Sequence, residues 1–380
     1  MSSARPAGRQ VMSDIQDTVA AIAAELIDSG AERGLQVAAY VDQQPVVDVA
    51  AGVADPSTGR PVRPGTLFYN WSIGKGATAT LVHRLVDAGQ LGYDTPVAEV
   101  WPAFARHGKQ AITVRQVLNH SAGVPGLPPD VTIGSLCSWP AMVAALEDAQ
   151  PWWEPGTKVG YHAYTFGFLC GEIVRRVTGR ELGDVLGELT AAIGLPGEIR
   201  YGIAPDETVD LAVLEDAPSD GHWTADLPDD LPMLRAVPRT LFPTAAFGDD
   251  PRVVAADIPA GAKVTARALA RMNAGLLGPV DGVEIVSAPR RAEATAESSS
   301  GPDQVFGNDE SRWGLGFALG LPWDETGSPR VFGMAGAGGS WAGADPDRGV
   351  AVAVTRNVMG MDFTTVERVV RAVLEAIDRG

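Results

Sequence analysis

Lysine is the scarce residue in this chain. Of 30 basic side chains only Lys75, Lys109, Lys158 and Lys263 are lysines; the rest are arginines. Arginine stays protonated and cannot serve as a base, so titratable amines are few. Cysteine is nearly absent as well. Cys137 and Cys170 lie far apart without a C-x-x-C, which indicates no disulfide framework and fits a reducing compartment. The five histidines (His83, His107, His120, His162, His222) show no H-E-x-x-H or other ligand spacing, which argues against a metallohydrolase. No apolar run is long enough to cross a bilayer. The opening residues Met1–Gln10 lack the apolar stretch of a secretory signal. The expectation is a cytoplasmic protein without a membrane partner. An excess of positive charge is missing too: the formal net charge is -17, which disfavours nucleic acid and anionic surfaces.

What remains is ordinary globular composition, 45% hydrophobic and 20% charged over 380 residues, enough for a large core. Residues 1–12 read as a disordered leader and 13–380 as one domain. An amphipathic helix is predicted over Ser13–Ser29, with Ile15, Val19, Ile22 and Leu26 at helical spacing. Two β-like runs, Leu35–Val41 and Pro45–Val53, flank the polar Asp42-Gln43-Gln44 and predict a hairpin. From about residue 77 to 255 helices are broken by proline and glycine, the clearest being Ala163–Thr178, while 205–262 reads as long loops. After a helix over Thr265–Leu277, strand patterns return at Trp313–Leu319, Arg330–Met334, Gly339–Asp345 and Gly349–Asn357, and a helix over Thr364–Asp378 closes the chain. Regular helix–strand alternation is absent, which argues against a doubly wound parallel sheet. The predicted class is α+β: an antiparallel sheet flanked by helices, built from about 13–68 and 260–380, with a helical lobe from about 69–259. The cleft between them would hold the active site.

Three clusters carry chemistry. Ser72 and Lys75 in Trp71-Ser72-Ile73-Gly74-Lys75 sit at i and i+3, one face of a helix, so the amine can reach the hydroxyl. A lysine kept neutral by burial activates a serine nucleophile; the plainer reading is a capping serine beside a solvated lysine. No other lysine has a serine three residues before it. Gly160-Tyr161-His162-Ala163 leads into a helix, where a phenol lowered in pKa by a nearby ammonium can pass protons. By themselves Tyr161 and His162 read as structural. Gly336-Ala337-Gly338-Gly339-Ser340 offers free backbone N–H groups for an oxyanion, or simply a turn or bulge.

Together these clusters resemble the serine β-lactamase and penicillin-binding-protein superfamily, especially its esterase branch, the family VIII carboxylesterases. Further matching phrases are Val117-Leu118-Asn119-His120-Ser121-Ala122-Gly123-Val124-Pro125, Trp153-Glu154-Pro155-Gly156-Thr157 and Ala344-Asp345-Pro346. The resemblance spans roughly residues 14–378. It implies a β-lactamase/transpeptidase-like fold with Ser72 as the acylated nucleophile, Lys75 as its base and Tyr161 as proton relay. It also implies an oxyanion hole from the N–H groups of Ser72 and Ala337, and neither metal nor organic cofactor. Ala163 stands where the lactamases carry asparagine, and Met334 where they carry lysine and many esterases histidine. Two polar anchors for a peptide-like acid are thus absent, each hydrogen bond to a charged group being worth about 1.5–3 kcal/mol. The substrate expected is a small-molecule ester or activated acyl donor, lined by Trp71, Trp152, His162, Met334, Gly336, Gly338 and Trp341. Weak lactamase and poor peptidase activity follow. Transfer of the acyl group to an amine or alcohol is the first alternative, and a non-catalytic binding protein the second. Ser340 is one residue short of G-x-S-x-G but lacks the strand-to-helix setting of a nucleophile elbow, and Ser121 reads as a turn residue.

Overall fold

Alternation along the strand Gly34–Val41 (β1) sorts the protein into two cores. Leu35, Val37 and Ala39 point to one side of the sheet, while Ala38 and Tyr40 point to the other, as period-two geometry requires. The computed structural model describes residues 7–218, 227–307, 310–324 and 328–379. β1 pairs with Gln44–Asp55 (β2) through the predicted hairpin, and Arg60–Pro61 (β3) borders β2. The other strands come from the far end of the chain: Ser299–Gly301 (β4), Ser311–Trp313 (β5), Ala318–Leu319 (β6), Phe332–Gly336 (β7), Ser340–Asp345 (β8) and Val350–Arg356 (β9). Their order across the nine-stranded sheet is β3-β2-β1-β9-β8-β7-β6-β5-β4. β9 closes it antiparallel to β1, Leu35 facing Arg356 and Val41 facing Val350.

One face is covered by the helices Ala7–Asp28 (α1) and, at the chain's end, Thr364–Asp378. Ile15 and Val19 of α1 and Val366, Val369, Val370 and Val373 of the last helix meet Val37, Val47, Val352 and Val354. Each such side chain, fully buried, contributes about 1.5–3 kcal/mol. The opposite face carries small residues, Ala38, Ala342, Ala344, Ala351 and Ala353, against the second core. The helices Lys75–Asp87 (α2), Thr165–Thr178 (α3) and Ala266–Leu277 (α4) lie on that side, and Thr364 opens the last helix, α5.

Two expectations change. α1 starts at Ala7, six residues before the predicted Ser13; residues 1–6 of the expected leader lie outside the described residues. Ala7, Arg9, Gln10 and Met12 are good helix formers, so propensity extends a helix that apolar spacing would start later. The run Trp313–Leu319 is two short strands, β5 and β6, rather than one, because Gly316 between them takes a positive φ of 88°. Among the described residues no helix is long and apolar enough to cross a membrane.

Candidate active site

A short strand, Phe68–Tyr69, runs into Asn70, and Trp71–Gly74 forms a single 3-10 turn before α2. Trp71 has φ +43°, a left-handed conformation costing about 1–3 kcal/mol in a bulky residue. Packing holds it there: its ring stacks on Tyr69 at 4.5 Å, and Gly261 lies so close that a Cβ would sit 2.9 Å from the Trp71 Cα. The turn leaves Lys75 Nζ 2.8 Å from Ser72 Oγ. The same nitrogen donates to the Ala260 carbonyl at 2.9 Å. Lys75 is 1% exposed, and this burial, which strips water from the ammonium, holds its pKa well below the usual lysine range.

Tyr161 reaches the same point from the segment before α3. Its ring centroid lies 5.0 Å from Lys75 Nζ and stacks on Trp313 at 5.5 Å. Burial raises its pKa, opposed by a hydrogen bond with Ser72. The expected depression of the phenol is therefore corrected. Burial disfavours the charged form of the phenol, just as it disfavours the ammonium of Lys75. Tyr161 and Ser72 are both half-buried rather than buried, leaving a way in for a ligand.

Two residues that the sequence reading missed support this tyrosine. The carboxylate of buried Asp303 accepts the Tyr161 N–H at 3.0 Å and the N–H groups of Val305 and Phe306, both at 2.8 Å. It lies 142 residues away in sequence, and nothing local announces it. His120, fully buried with φ +62°, accepts the His162 N–H on Nδ1 at 3.1 Å and packs 5.0 Å from the Tyr161 ring. Its signal lies in the Val117–Pro125 phrase, which carries the family resemblance without marking this histidine.

The third cluster lies across from the serine turn. The end of β7 presses on it: a Cβ on Gly336 would sit 2.2 Å from the Asn70 carbonyl oxygen. Ala337 follows, then Gly338 and Gly339 with φ of +101° and +76°. Met334 is buried with Val159 and Trp313, and Tyr161 packs against them, an apolar wall where a cationic anchor would otherwise stand.

Other predicted lining residues separate. Trp341 points away: it is buried in the α1/α5 core, edge-on to Trp323 at 5.6 Å. Its neighbours Ser340 and Ala342 take the other face of β8, so the tryptophan cannot line the cleft. His162 is fully buried, with Nδ1 on the Gly160 carbonyl at 2.7 Å and Nε2 accepting the Val124 N–H at 3.0 Å; it braces the loop. Gly338 gives its carbonyl to Arg356. Trp152 lines a cavity of about 1020 Å³ with Val124, Leu127, Trp153 and Arg235. Ser340 is buried within β8, and Ser121 bonds Asn119 at 2.7 Å as a turn residue. Among the described residues, no group of three or more His, Cys, Asp or Glu converges on a point that could hold a metal. Both cysteines are free.

The family model for beta-lactamase matches residues 19–375. Over 335 residues the chain is 34% identical to the esterase/beta-lactamase LipL of Mycobacterium tuberculosis, covering 85% of this chain and 77% of that protein. A family VIII carboxylesterase structure superposes with a TM-score of 0.85 at 30% identity, covering 95% of this chain and 97% of the other. A penicillin-binding-protein homologue from Caulobacter crescentus superposes at 0.82 and 34%, covering 96% and 98%. The fold is thus β-lactamase/transpeptidase-like, and the esterase and penicillin-binding-protein relatives support a serine acyl-enzyme hydrolase. The chain belongs to the beta-lactamase family.

Proposed function

We propose that this protein hydrolyses a carboxylic ester through an acyl-enzyme on Ser72. The observation that carries the reading is the 2.8 Å contact between Ser72 Oγ and a Lys75 Nζ that burial drives toward its neutral form. A neutral amine at that distance takes the hydroxyl proton as Oγ forms its bond to the ester carbonyl carbon. The carbonyl electron pair moves onto oxygen, facing the N–H groups of Ser72 and Ala337. Collapse breaks the ester bond, and the departing alkoxide receives the proton from Lys75 by way of the Tyr161 phenol. Water then attacks the acyl group, gives up its proton along the same route, and frees Ser72 and the acid. Tyr161 acts in this scheme as a neutral relay, which agrees with its raised pKa.

Support for an ester over a peptide-like acid comes from Ala163 and buried Met334, neither of which can hold an amide or a carboxylate. The relatives' esterase names agree with it. A fluorophosphonate probe followed by mass spectrometry tests the nucleophile: one adduct on Ser72 is expected, and none in Ser72→Ala. An unlabelled protein would instead be a binding protein on the same fold. Product analysis with an activated ester and a panel of amines and alcohols separates hydrolysis from acyl transfer. Free acid alone across the panel leaves the transferase reading without support.

A further inference from the structure

The loop that would supply half of the oxyanion hole has little shape of its own. Ala337-Gly338-Gly339 joins β7 to β8 with two consecutive glycines at positive φ, and glycine loses more freedom on ordering than any other residue. Two buried side chains press on it: the Met359 thioether packs against Gly338, and of the two only Arg356 holds the loop by a hydrogen bond. Arg356, 4% exposed at the end of β9, donates Nε to the Gly338 carbonyl at 2.7 Å. Its second amino group reaches the Gly360 and Asp362 carbonyls at 3.4 and 3.5 Å. The fit is close, since a Cβ on Gly339 would stand 2.4 Å from that guanidinium.

Arg356 is held in turn. Its first amino group donates to Glu32 Oε1 at 2.5 Å, and Thr365 Oγ1 donates to the same oxygen at 2.5 Å. Glu32 is fully buried in its side chain. The backbone carbonyl of Arg356 accepts from Asn70 Nδ2 at 3.0 Å, two residues before Ser72. The Asn70 carbonyl is the surface on which Gly336 rests.

We infer that Arg356 is a positioning residue that fixes the separation of the Ser72 and Ala337 N–H groups, its side chain holding one and its main chain the other. This rests on the acyl-enzyme reading above. A buried ion pair is weak evidence for stability, because apolar packing of the same volume often does as well. A planar fork that satisfies three carbonyls and a carboxylate at once sets geometry in a way that apolar packing does not.

Arg356→Lys keeps a cation opposite Glu32 and loses the fork. With a p-nitrophenyl ester its kcat should fall about 30- to 100-fold, short of the 10²–10³ seen when an oxyanion donor is removed outright, with KM within about 2-fold. The ratio of ester to thionoester turnover is the discriminating readout, because a hole spaced for oxygen rejects sulfur. That ratio should narrow about 10-fold or more in the variant. Thr365→Val, which loosens Glu32 without touching the loop, should move the ratio the same way by a smaller amount, and it carries the test if Arg356→Lys does not fold. A wild-type kcat, or a reduced kcat with an unchanged ratio, overturns the inference. Absence of a fluorophosphonate adduct on wild-type Ser72 would defeat the underlying reading instead, so the two failures are told apart.

Discussion

Three of the four lysines are buried, and one of them faces a serine. Lys109 sits on the Glu147 and Ala149 carbonyls. Lys263 sits on those of Tyr201 and Val253, with the Tyr69 ring 4.6 Å away. Rarity of lysine in this chain therefore marks burial, and the short distance to Ser72 is what sets Lys75 apart. Replacing Lys75 by arginine keeps the bulk and forbids the neutral form; ester turnover should fall by at least about 10³-fold, and near-native kcat would exclude Lys75 as base. The acid limb of the wild-type rate profile should follow protonation of the same amine, activity falling as pH drops through its depressed pKa. Tyr161→Phe should slow turnover by about 10²-fold or more with an unaltered circular dichroism spectrum. Lys263 gives a stability prediction. Burial lowers its pKa from 10.5 to about 7, so between those values the unfolded chain binds a proton that the folded one does not. Stability should rise with pH across that window, by at most about 1.4 kcal/mol per pH unit, and level off below about 7. Lys263→Met removes this slope; parallel urea-unfolding curves for wild type and variant from pH 7 to 9 would contradict the assignment.

Among the elements, the β7–β8 hairpin meeting the serine turn is the critical junction. Gly336→Ala would drive a methyl into the Asn70 carbonyl, a backbone group that cannot rotate aside, so β7 must withdraw from Ser72. Turnover should drop about 10²-fold, while overpacking costs only about 1–3 kcal/mol of stability. A variant with normal kcat and a normal melting temperature would show that the two segments can slide freely. Local patterns foretold most of the elements: the β1–β2 hairpin, and α5 with its observed bounds Thr364–Asp378. Ser72, Lys75 and Tyr161 were legible because a short spacing and a recognisable phrase carry them. Trp341 was misplaced although strand alternation alone separates it from Ala342; large aromatics near a motif invite assignment to it. Asp303, Glu32 and Arg356 were beyond reach, since their partners lie 142 and 324 residues away and no periodicity links such distances.

Taken whole, the molecule is closed by its own ends. β1, at Gly34–Val41, is flanked by β2 on one side and by β9 on the other, and α1 packs with α5 across the covered face. Deleting residues 346–380 removes β9 and α5 together, exposing the edge of β1 and the apolar stripe of α1. Such a truncation should lose its cooperative unfolding transition by circular dichroism and become rapidly cleaved by protease. During synthesis the same arrangement imposes a wait. At about 5–20 residues per second, the first hairpin leaves the ribosome roughly 15–60 s before its neighbour β9 is made. For that interval a bare strand edge and the apolar stripe of α1 have no native cover, so the nascent protein is an obvious client for chaperones, and its yield in a cell should depend on them more than its final stability suggests.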